Sequence, residues 1–558
     1  MPPMNDLSCL HPLTHLLLEN RQIIDPLEKQ RFLFPDYERD GNDPFLMLNM
    51  ERAVDRIFLA MTNNETIMIY GDYDCDGIPG SVLLHDLFKK IGYAPVQNYI
   101  PHRHLEGYGL NKEAVTQFAK DGIALVITVD CGITDVEEVA LANELGVDVI
   151  VTDHHLPQVI LPPAYTILNS KQVDDTYPDN MLCGAGVAFK LAQAILLRGK
   201  FAHIGQGWEK WLLDMAGLST ITDMVPLRKE NRMLAYYGLK VLRRSPRPGL
   251  QALLKDAGTL QAQLTEEDVG FTIGPRINAA SRMDVPLRAF ELLATNDAIL
   301  AKERAKFLGD LNDERKSEVA RMVKEAKHRL KERVLREVIV IGNPNWRVGV
   351  VGIVANQIAT EYDRPTFVWG KSGSHDLKGS CRSDGRVNLV ELMCAVDPGI
   401  FIDRGGHEFS GGFSVTPEHI HTLEDHLVAA HATIAKKEKP EHAYVIDAEL
   451  TIAEVNERTY TAIALLAPFG VGNPKPHFFF RQVVVRDVGL FGKEKNHLKL
   501  TLADDAGKTA QAIGFFMTAE SFVSADIHDG KKVDLVATFE KSYFRGRPEL
   551  RLRIVDIS

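Results

Sequence analysis

The stretch Tyr70-Gly-Asp-Tyr-Asp-Cys-Asp-Gly77 decides how the rest of the chain is interpreted. It follows a short apolar run at 67–69 and precedes apolar residues at helical spacing over 82–88, so its aspartates lie where a strand ends and a helix begins. Open α/β sheets bind their ligands at such positions. The carboxylates of Asp72, Asp74 and Asp76 are too close in sequence to escape mutual repulsion unless cations lie among them. We therefore predict a metal site.

The same acidic pattern has two other interpretations. On its own, Asp-x-Asp-x-Asp-Gly can be a solvated acidic turn. It also resembles the start of an EF-hand calcium loop, but such a loop needs a glutamate at its twelfth position. Counting from Asp72, that position is Leu83, which excludes an EF-hand.

Two further strand-like runs end in the same kind of residue. Ala124–Val129 ends in Asp130-Cys-Gly132, and Val147–Thr152 ends in Asp153-His154-His155. Because parallel strands of an α/β sheet end at one edge, three such strands would bring carboxylates and imidazoles together. This repetition favours the metal site over the solvated turn.

A longer series of motifs resembles, in order, the DHH phosphoesterase family, and within it the branch that degrades single-stranded nucleic acid. The matching segments are Gly71-Asp-Tyr-Asp-Cys-Asp-Gly77, Val129-Asp-Cys-Gly132, Thr152-Asp-His-His155, Cys183-Gly-Ala-Gly-Val187, Thr220-Ile-Thr-Asp-Met-Val-Pro226, Glu230-Asn-Arg232, Gly274-Pro-Arg-Ile-Asn-Ala-Ala280, Lys378-Gly-Ser-Cys-Arg-Ser383 and Gly405-Gly-His407. The resemblance covers nearly the whole chain.

The resemblance implies two divalent cations, and the histidine content favours Mn²⁺ over Mg²⁺. It implies that Asp74 and Asp76 each hold one cation, that Asp130 bridges the two, and that further ligands complete the site. The remaining ligands implied are His154 and Asp223. The residues implied to lie beside the cations, as outer ligands or in proton transfer, are Asp72, Asp153 and His155.

A second cluster is implied to bind phosphate. Guanidinium groups bind phosphate oxygens in pairs, and a terminal 5′ phosphate held at a fixed distance from the metals would make the enzyme start from an end. The residues assigned to this cluster are Arg103, Arg276, Asn278, Ser380, Arg382 and His407.

The alternation of strand-like and helical patterns predicts an α/β fold of several domains. We expect a mainly parallel sheet in the DHH domain, one long connecting helix, a smaller α/β domain similar to DHHA1, and a C-terminal β-barrel of the OB type. The predicted boundaries are an N-terminal arm at 1–45 that packs on the first domain, the DHH domain at 46–296, the helix at 297–337, the DHHA1 domain at 338–441 and the OB-like domain at 442–558.

The C-terminal barrel is expected to follow a single strand of nucleic acid. Five strand-like runs occur within about 110 residues, with few helical signals. Basic and aromatic residues between and after them suit a track with stacking platforms, although the aromatics could equally belong to the core. The residues assigned to this track are Lys493, Lys495, Tyr543, Arg545 and Arg547.

Charge and composition limit the classes of partner. The net charge is −11, which argues against gripping nucleic acid by bulk electrostatics. However, residues 475–558 hold 14 Lys and Arg against 11 Asp and Glu.

No apolar run approaches the roughly 18 residues that span a bilayer, and the N-terminus lacks the features of a signal peptide. We expect a cytoplasmic protein without a membrane partner.

The cysteines and two departures from the family pattern need separate comment. The six cysteines form no paired zinc spacing, and we expect Cys75 and Cys131 to be buried fillers rather than thiol ligands. The family more often has small hydroxyl residues where this chain has Pro79-Gly80. It usually has a histidine where this chain has Arg347, to which we assign no function.

The expected activity is metal-dependent hydrolysis of single-stranded DNA from the 5′ end, in recombination and mismatch repair. The resemblance implies a monomer with single-stranded DNA as substrate and a single-strand-binding protein and a helicase as partners. One alternative is hydrolysis of short RNAs or cyclic dinucleotides, but relatives of that kind lack the extra β module. A non-catalytic single-strand-binding scaffold is the alternative of another class, and an inorganic pyrophosphatase is disfavoured by length.

Overall fold

The chain, seen here in a computed structural model, folds into two compact units. One comprises Pro44–Asp223 and Val241–Glu441, and the other comprises Met1–Asp43, Met224–Lys240 and His442–Ser558. The residues that the structure describes are 7–371, 376–438, 444–492, 494–522, 527–542 and 548–558.

The first sheet is parallel throughout. Its strands are β1 (Thr66–Gly71), β2 (Val96–Tyr99), β3 (Ile123–Val129), β4 (Asp148–Thr152) and β5 (Thr166–Leu168). The order β2-β1-β3-β4-β5 places β1, β3 and β4 side by side. Ile69 lies opposite Ile127, which lies opposite Ile150, so the three strands end at one edge. The predicted juxtaposition of their aspartates is therefore present.

Two further sheets complete the β-structure. The second consists of β6 (Ile339–Gly342), β7 (Thr366–Lys371), β8 (Leu377–Arg382), β9 (Asp403–His407) and β10 (Ser410–Val415). The third consists of β11 (Ile446–Glu449), β12 (His477–Phe491), β13 (His497–Ala503), β14 (Thr509–Gly514), β15 (Lys532–Ser542) and β16 (Glu549–Ile557). Pairing of β12 with β15 closes the third sheet into a five-stranded barrel. The predicted OB-like barrel is confirmed.

The α-helices are described in chain order. They are α1 (Pro12–Asn20), α2 (Pro26–Leu33), α3 (Tyr37–Asp40), α4 (Met50–Thr62), α5 (Gly77–Ile91), α6 (Lys112–Lys120), α7 (Val136–Glu144), α8 (Gly184–Gly199), α9 (Leu213–Thr222), α10 (Lys229–Leu242), α11 (Pro248–Asp256), α12 (Glu266–Asp268), α13 (Gly274–Met283), α14 (Leu287–Ala294), α15 (Ala298–Lys331), α16 (Val348–Tyr362), α17 (Leu389–Cys394), α18 (Leu423–Thr433) and α19 (Glu457–Ala464). Among these described helices, none combines the length and the apolar character needed to cross a bilayer.

Helix α5 packs tightly at the start of the first sheet, which explains one departure from the family pattern. A Cβ added to Gly80 would lie 2.6 Å from Cγ1 of Val129 and 3.1 Å from Cα of Ala185. Real Cβ atoms are not found so close to other atoms, so any larger residue would push α5 away from β3 and α8. Gly80 is therefore explained by helix packing, not by ligand binding.

The long connecting helix is α15. Asp297 caps its N-terminus by accepting hydrogen bonds from the backbone N–H groups of Ile299 and Leu300. The apolar stripe that predicted the helix, including Met322 and Ala326, is buried. The helix ends at Lys331 rather than at the predicted residue 337, and Val334 beyond it is exposed.

The N-terminal segment packs with the C-terminal barrel. Leu17, Leu18 and Phe32 belong to the same buried cluster as Phe478 and Phe480 of the barrel. The expectation that residues 1–45 pack on the first domain is corrected by this core, because their apolar side chains complete the barrel's interior instead.

Arg232 stabilises the same unit from a third segment. Its guanidinium lies 3.6 Å from the ring centroid of Phe32 and donates to the carbonyls of Phe32, Leu466 and Ala467 at 2.5–3.1 Å. Glu230 accepts from the backbone and side chain of Asn42. The motif Glu230-Asn-Arg232 therefore holds this unit together.

Candidate metal centre and phosphate-binding site

The loop between β1 and α5 is shaped by hydrogen bonds to its own carboxylates. Oδ1 of Asp74 accepts from the backbone N–H groups of Asp76 (2.7 Å) and Gly77 (3.3 Å). A Cβ on Gly77 would lie 2.5 Å from the backbone of Asp72. Only glycine therefore allows the chain to turn so tightly that all three aspartates face one space.

Asp76 is held by the N-terminus of α8. Its two oxygens accept from the backbone N–H groups of Gly184 (2.6 Å) and Ala185 (2.8 Å), where the helix dipole favours negative charge. Burial and the charge of Asp74 nevertheless raise the pKa of Asp76 to about 6. A Cβ on Gly184 would lie 2.5 Å from Cβ of Asp130, so the glycine lets α8 approach both carboxylates.

Asp130 follows β3 in a left-handed backbone conformation, with φ of 63°. Its backbone N–H donates to the carbonyl of Thr152 at 3.0 Å, and its carbonyl accepts from the hydroxyl of Tyr108 at 3.0 Å. A non-glycine residue is held in this conformation only when its surroundings fix it. The carboxylate is thereby directed into the centre, where Oδ1 is buried without a hydrogen-bond donor.

His154 lies among three carboxylates. Its Nε2 is 3.1 Å from Oδ1 of Asp130, 3.7 Å from Oδ2 of Asp223 and 3.8 Å from Oδ2 of Asp76. Burial and the neighbouring His155 lower its pKa to about 3. The ring is therefore neutral at physiological pH, which is the form that binds metal ions.

Asp153 and His155 form a pair beside this centre. Oδ1 of Asp153 accepts from Nδ1 of His155 (2.8 Å) and from the backbone N–H groups of His154 and His155, while Oδ2 accepts from the N–H of Ile133. Burial raises the pKa of Asp153, but these hydrogen bonds outweigh it and lower the pKa overall. Asp153 therefore orients the imidazole and has little capacity left for a metal.

Asp223 is placed by contacts between α9 and the first motif. The hydroxyls of Ser219 (3.2 Å) and Thr222 (3.0 Å) donate to the carbonyl of Cys75, and Asp223 follows directly at the end of the helix.

Cys75 and Cys131 are buried, and burial raises the pKa of both thiols. Both thiols therefore stay protonated, as expected for fillers.

The carboxylates destabilise one another unless cations are present. Burial, followed by the charges of neighbouring aspartates, raises the pKa of Asp72 and of Asp130 well above the usual value for an aspartate. The same two causes raise the pKa of Asp223 to about 9. Oδ1 of Asp72 and Oδ2 of Asp223 are also buried without a donor. Such crowding fits bound cations, whose charge would offset the repulsion.

The ligand atoms fall into three adjoining sets. Within each set the atoms lie within 4.8 Å of one another, and Asp130 is a member of two sets. The sets are Asp72 with Asp74 and Asp130, Asp130 with His154 and His155, and Asp76 with His154 and Asp223. Carboxylate oxygens with imidazole nitrogens suit divalent cations such as Mn²⁺ and Mg²⁺, so the residues fit the implied metals.

Lys171 is a neighbour of this centre that the sequence did not indicate. Burial lowers the pKa of its ammonium group, while the negative charges of Asp223, Asp153 and Asp130 partly oppose this shift. The residue lies in a loop after β5, and the adjacent Asn169 donates to the carbonyl of His155. No spacing in the sequence relates this lysine to the aspartates.

Ser380 and Arg382 share one face of β8. The position that a Cβ on Gly352 would occupy is 3.3 Å from Oγ of Ser380 and 3.2 Å from Nη2 of Arg382, so α16 comes close to both side chains. In register, Ser410 lies between Arg382 and the exposed His407. The predicted residues Ser380, Arg382 and His407 are therefore on one face of the second sheet.

Arginines link this face to the metal centre. Arg103 lies with Cζ 4.8 Å above the ring of Tyr73, inside the first metal motif. Burial, and then the charges of Arg103, Arg315 and Arg382, lower the pKa of Arg282 to about 9, while Asp74 opposes this shift. Arg282 thus lies in the field of both the acidic and the basic cluster. It was not assigned from the sequence.

The other assigned residues on α13 are placed less directly. Nη1 of Arg276 donates to the carbonyl of Thr272 at 3.0 Å, and its Nε and Oδ1 of Asn278 are buried without hydrogen-bond partners. Asn278 lies one turn before Arg282, so both project from the same side of the helix. Unsatisfied buried groups of this kind suit a polar ligand.

Three family models match this chain in sequence. They are described as the DHH family N-terminal domain, over residues 66–220, the DHHA1 domain, over 331–435, and the RecJ OB domain, over 446–556. The single-stranded-DNA-specific exonuclease RecJ of Bacillus subtilis is 36% identical over 548 residues, covering 98% of this chain and 68% of that protein. The enzyme of the same name from Haemophilus influenzae is 33% identical, covering 98% and 96%. The chain belongs to the RecJ family.

Solved RecJ structures share this architecture. RecJ of Thermus thermophilus in complex with Mn²⁺ superposes with a TM-score of 0.79 at 26% identity, covering 100% of this chain and 78% of that one. An exonuclease RecJ bound to manganese has a TM-score of 0.61 at 32% identity, covering 70% of this chain and 95% of that one. Together with the ligand geometry, these structures identify a divalent-cation site in this RecJ-family chain.

The residues assigned on the barrel are described only in part. Lys495 is exposed in the turn between β12 and β13, where its N–H donates to the carbonyl of Gly492. Lys493, Tyr543, Arg545 and Arg547 lie outside the described residues.

Arg347, the second departure from the family pattern, has a structural role. Its Nη1 pairs with Oε1 of Glu314 at 2.7 Å, which ties the start of α16 to the middle of α15.

Proposed function

We propose that this RecJ-family chain hydrolyses single-stranded DNA from its 5′ end. The observation that carries the proposal is that arginines lie beside both clusters. Arg103 lies over the ring of Tyr73 in the first metal motif, and Arg282 donates to the carbonyl of Gly349 on α16, the helix that comes close to Ser380 and Arg382. A cluster of cations beside an acidic centre can hold a terminal phosphate near the site of hydrolysis. Polarity is then fixed by which end of the strand carries that phosphate.

We infer that two cations bind, with Mn²⁺ preferred over Mg²⁺. Asp74 and Asp76 would each hold one cation, Asp130 would bridge, and His154 and Asp223 would complete the ligands. When bound, two cations supply a hydroxide nucleophile and neutralise charge on the attacking and leaving oxygens. Asp130 and His154 each belong to two of the three ligand sets, and Asp130 is the residue that joins the set of Asp74 to the sets of His154, which supports its bridging role.

The chain's own residues then orient the reacting groups. Asp153 fixes Nδ1 of His155 as the donor, which leaves Nε2 of His155 free to exchange a proton at the site. Burial opposes the charged form of His155, but the hydrogen bond and charge of Asp153 raise its pKa overall. The raised pKa favours the protonated form of His155, which could donate a proton to a leaving oxygen.

Arg382, Ser380 and Arg103 would bind the terminal phosphate. Burial, together with the charge of Arg103, lowers the pKa of Arg382, which means that the two cations repel each other in the absence of an anion. A phosphate dianion between them would relieve this repulsion. We assign Arg276, Asn278 and His407 to neighbouring contacts of the same strand.

The cellular setting is proposed from the family alone. We propose that the chain acts as a monomer in the cytoplasm, in recombination and mismatch repair, with a single-strand-binding protein and a helicase as partners. The barrel supports polymer substrates over short RNAs or cyclic dinucleotides, and the filled ligand positions argue against a non-catalytic scaffold.

One assay tests the activity and its polarity. Single strands of DNA and RNA, labelled at either end, are incubated with Mn²⁺, with Mg²⁺ and with EDTA. We expect mononucleotides to be released from the 5′ end of DNA, fastest in Mn²⁺ and not at all in EDTA. Release from the 3′ end, or cleavage that persists in EDTA, would refute the proposal.

A further inference from the structure

One edge of the first sheet is open. β2 is the outer strand in the order β2-β1-β3-β4-β5, and within the described ranges it pairs with β1 alone. The backbone N–H of Ile67 donates to the carbonyl of Pro95, and Ile67 lies opposite Val96. In a parallel ladder with this register, the residues on either side of Asn98 bond to β1. The backbone N–H and C=O groups of Asn98 therefore face away from β1, along the open edge.

A groove of about 520 Å³ lies beside this edge, between β2 and α6. Its lining includes three buried apolar residues, Met68, Ala114 and Phe118. Tyr99 of β2 also lines the groove and packs edge-on against Phe118, with ring centroids 5.2 Å apart. An apolar groove alongside an open strand edge is the arrangement in which an extended peptide binds by strand addition.

The groove carries negative charge. Glu106, Glu113 and Asp121 line it, and its lining in the described part of the chain contains no lysine or arginine. Glu113 and Asp121 are exposed. Glu106 is half-buried at one end, where it accepts from the hydroxyl of Tyr99 and from Nδ2 of Asn111. The charge of the groove is therefore complementary to that of a segment rich in lysine or arginine.

We propose that the edge of β2 and this groove bind an extended basic segment of a protein partner, which adds to the sheet as a further strand. Main-chain hydrogen bonds to the open edge would supply affinity, and side chains at alternate positions would enter the groove. Lysine or arginine at those positions would meet Glu113 and Asp121. The proposal concerns a protein partner and does not depend on the proposed activity.

The groove also lies behind a loop that reaches the metal centre. Glu106 accepts from the backbone N–H of His102, the residue before Arg103, whose guanidinium lies over the ring of Tyr73. The loop between β2 and α6 is thus fixed from the side of the groove by one carboxylate. A partner bound along β2 would contact the loop that carries Arg103.

A synthetic peptide tests the site directly. The probe is a capped, fluorescein-labelled peptide of about seven residues, the length of an ordinary strand, in which threonine alternates with lysine. Threonine favours strands, and the alternation places every lysine on one face. A peptide with glutamate in place of lysine is the matched control. Fluorescence anisotropy is measured in Mn²⁺, so that the carboxylates of the metal centre do not attract the lysines. We expect only the lysine peptide to bind.

Methylated peptides separate strand addition from attraction by charge. The N–H groups of an added strand point alternately toward β2 and toward solvent. One version of the lysine peptide is methylated at the lysine backbone nitrogens, and the other at the threonine backbone nitrogens. We expect one version to bind about tenfold more weakly than the other, because it loses the hydrogen bonds to β2. Equal affinities of the two versions would overturn strand addition.

Charge reversal on the protein locates the bound peptide. Asp121→Lys alters an exposed side chain of the groove, and Glu144→Lys makes the same change at the exposed end of α7, outside the groove. Both variants should unfold at the wild-type temperature. We expect Asp121→Lys to weaken binding of the lysine peptide about three- to 30-fold, since an attraction becomes a repulsion, and Glu144→Lys to leave it unchanged.

Two outcomes would refute the site. One is equal affinity of the lysine peptide for the wild type and both variants, which would mean that the peptide responds only to the net negative charge of the chain. The other is the absence of binding by the wild type at peptide concentrations up to about 1 mM, the weak limit for a short segment.

Discussion

Nδ1 of His155 lies 2.8 Å from Oδ1 of Asp153, a carboxylate that also accepts three backbone N–H groups and is wholly buried. The resemblance assigns Asp130 to the cations and places Asp153 beside them. The hydrogen bonds support this division, because Asp153 accepts four N–H groups whereas Asp130 has a buried oxygen that accepts no hydrogen bond. We infer that Asp153 positions His155, and we propose Asp130 as a metal ligand.

Substituting Asp153 by asparagine should impair catalysis through His155. An asparagine amide cannot accept all four N–H groups, so the imidazole loses its fixed tautomer and orientation. Losses of about 10- to 100-fold are typical when such a partner of a site histidine is removed. We expect kcat to fall by this factor on short strands, with a changed pH profile. A folded Asp153→Asn variant with the wild-type pH profile would contradict the positioning role.

Asp130→Ala should abolish cleavage and leave the fold intact. Without metal, the buried carboxylate of Asp130 is repelled by Asp76, Asp74 and Asp72, so its removal should not lower the unfolding temperature in EDTA. In the wild type, Mn²⁺ should raise that temperature through binding to the folded state, and the rise should shrink in the variant. Thermal unfolding with and without Mn²⁺ measures both effects.

Asp313→Ala is the control for that experiment, because Asp313 is an exposed aspartate on α15. It should keep both the activity and the stabilisation by Mn²⁺. An Asp130→Ala variant that folds and retains about a tenth of the wild-type rate would show that Asp130 does not bridge.

Local sequence predicted the metal centre because the residues concerned follow strands. Asp130 and Asp153 each end an apolar run, and parallel strands end at one edge of a sheet. Arg282 gave no such signal. It lies four residues after Asn278 on a helix, where an arginine is normally solvated, and only the packing of α13 partly buries it. The sequence also could not predict that Leu17 and Phe478 share one buried cluster, since no local pattern relates residues more than 450 positions apart.

The metal-free protein should become less stable as pH rises. The pKa of Asp76 is raised to about 6 and that of Asp223 to about 9, chiefly by burial, whereas an unfolded aspartate has a pKa of about 3.9. The folded state therefore holds protons that the unfolded state releases, and stability is lost from about pH 4 up to the folded pKa values. Urea unfolding in EDTA at pH 5, 7 and 9 should show this decline.

Asp223→Asn isolates the upper part of that range. Because asparagine does not titrate, the decline between about pH 6 and pH 9 should be smaller in the variant than in the wild type. The same protons must leave when a metal binds, so Mn²⁺ affinity should rise with pH in the wild type. Identical pH slopes for the two proteins would mean that Asp223 is ionised in the folded, metal-free state.

Arg382→Ala tests how the enzyme recognises the strand end. A charge-assisted bidentate contact contributes roughly 1.5–3 kcal/mol, so affinity for 5′-phosphorylated strands should fall about 10- to 100-fold. Strands with a 5′ hydroxyl should be much less affected. Arg347→Ala, which removes the ion pair with Glu314 and a weak contact with Sδ of Met283, should behave like the wild type on both. Equal losses on both strands would place Arg382 at an internal phosphate.

The final prediction concerns removal of the C-terminal module. From the sequence, residues 442–558 look separable, and a truncated chain would be expected to keep its activity on short strands. The structure argues otherwise, because Leu17, Leu18 and Phe32 are buried in the same cluster as Phe478. Cutting the chain after residue 441 would expose these side chains, and a newly exposed apolar patch of this kind promotes aggregation.

We therefore expect the 1–441 fragment to be largely insoluble, and the 44–441 fragment, which also lacks those N-terminal side chains, to be more soluble. Sedimentation of the expressed fragments and binding of a hydrophobic dye measure the difference. The 44–441 fragment still contains Arg232, whose carbonyl acceptors at Leu466 and Ala467 are lost with the barrel, so its recovery should be incomplete. A monodisperse 1–441 fragment would show that the N-terminal helices fold without the barrel, and the shared core would then contribute little to the stability of this unit.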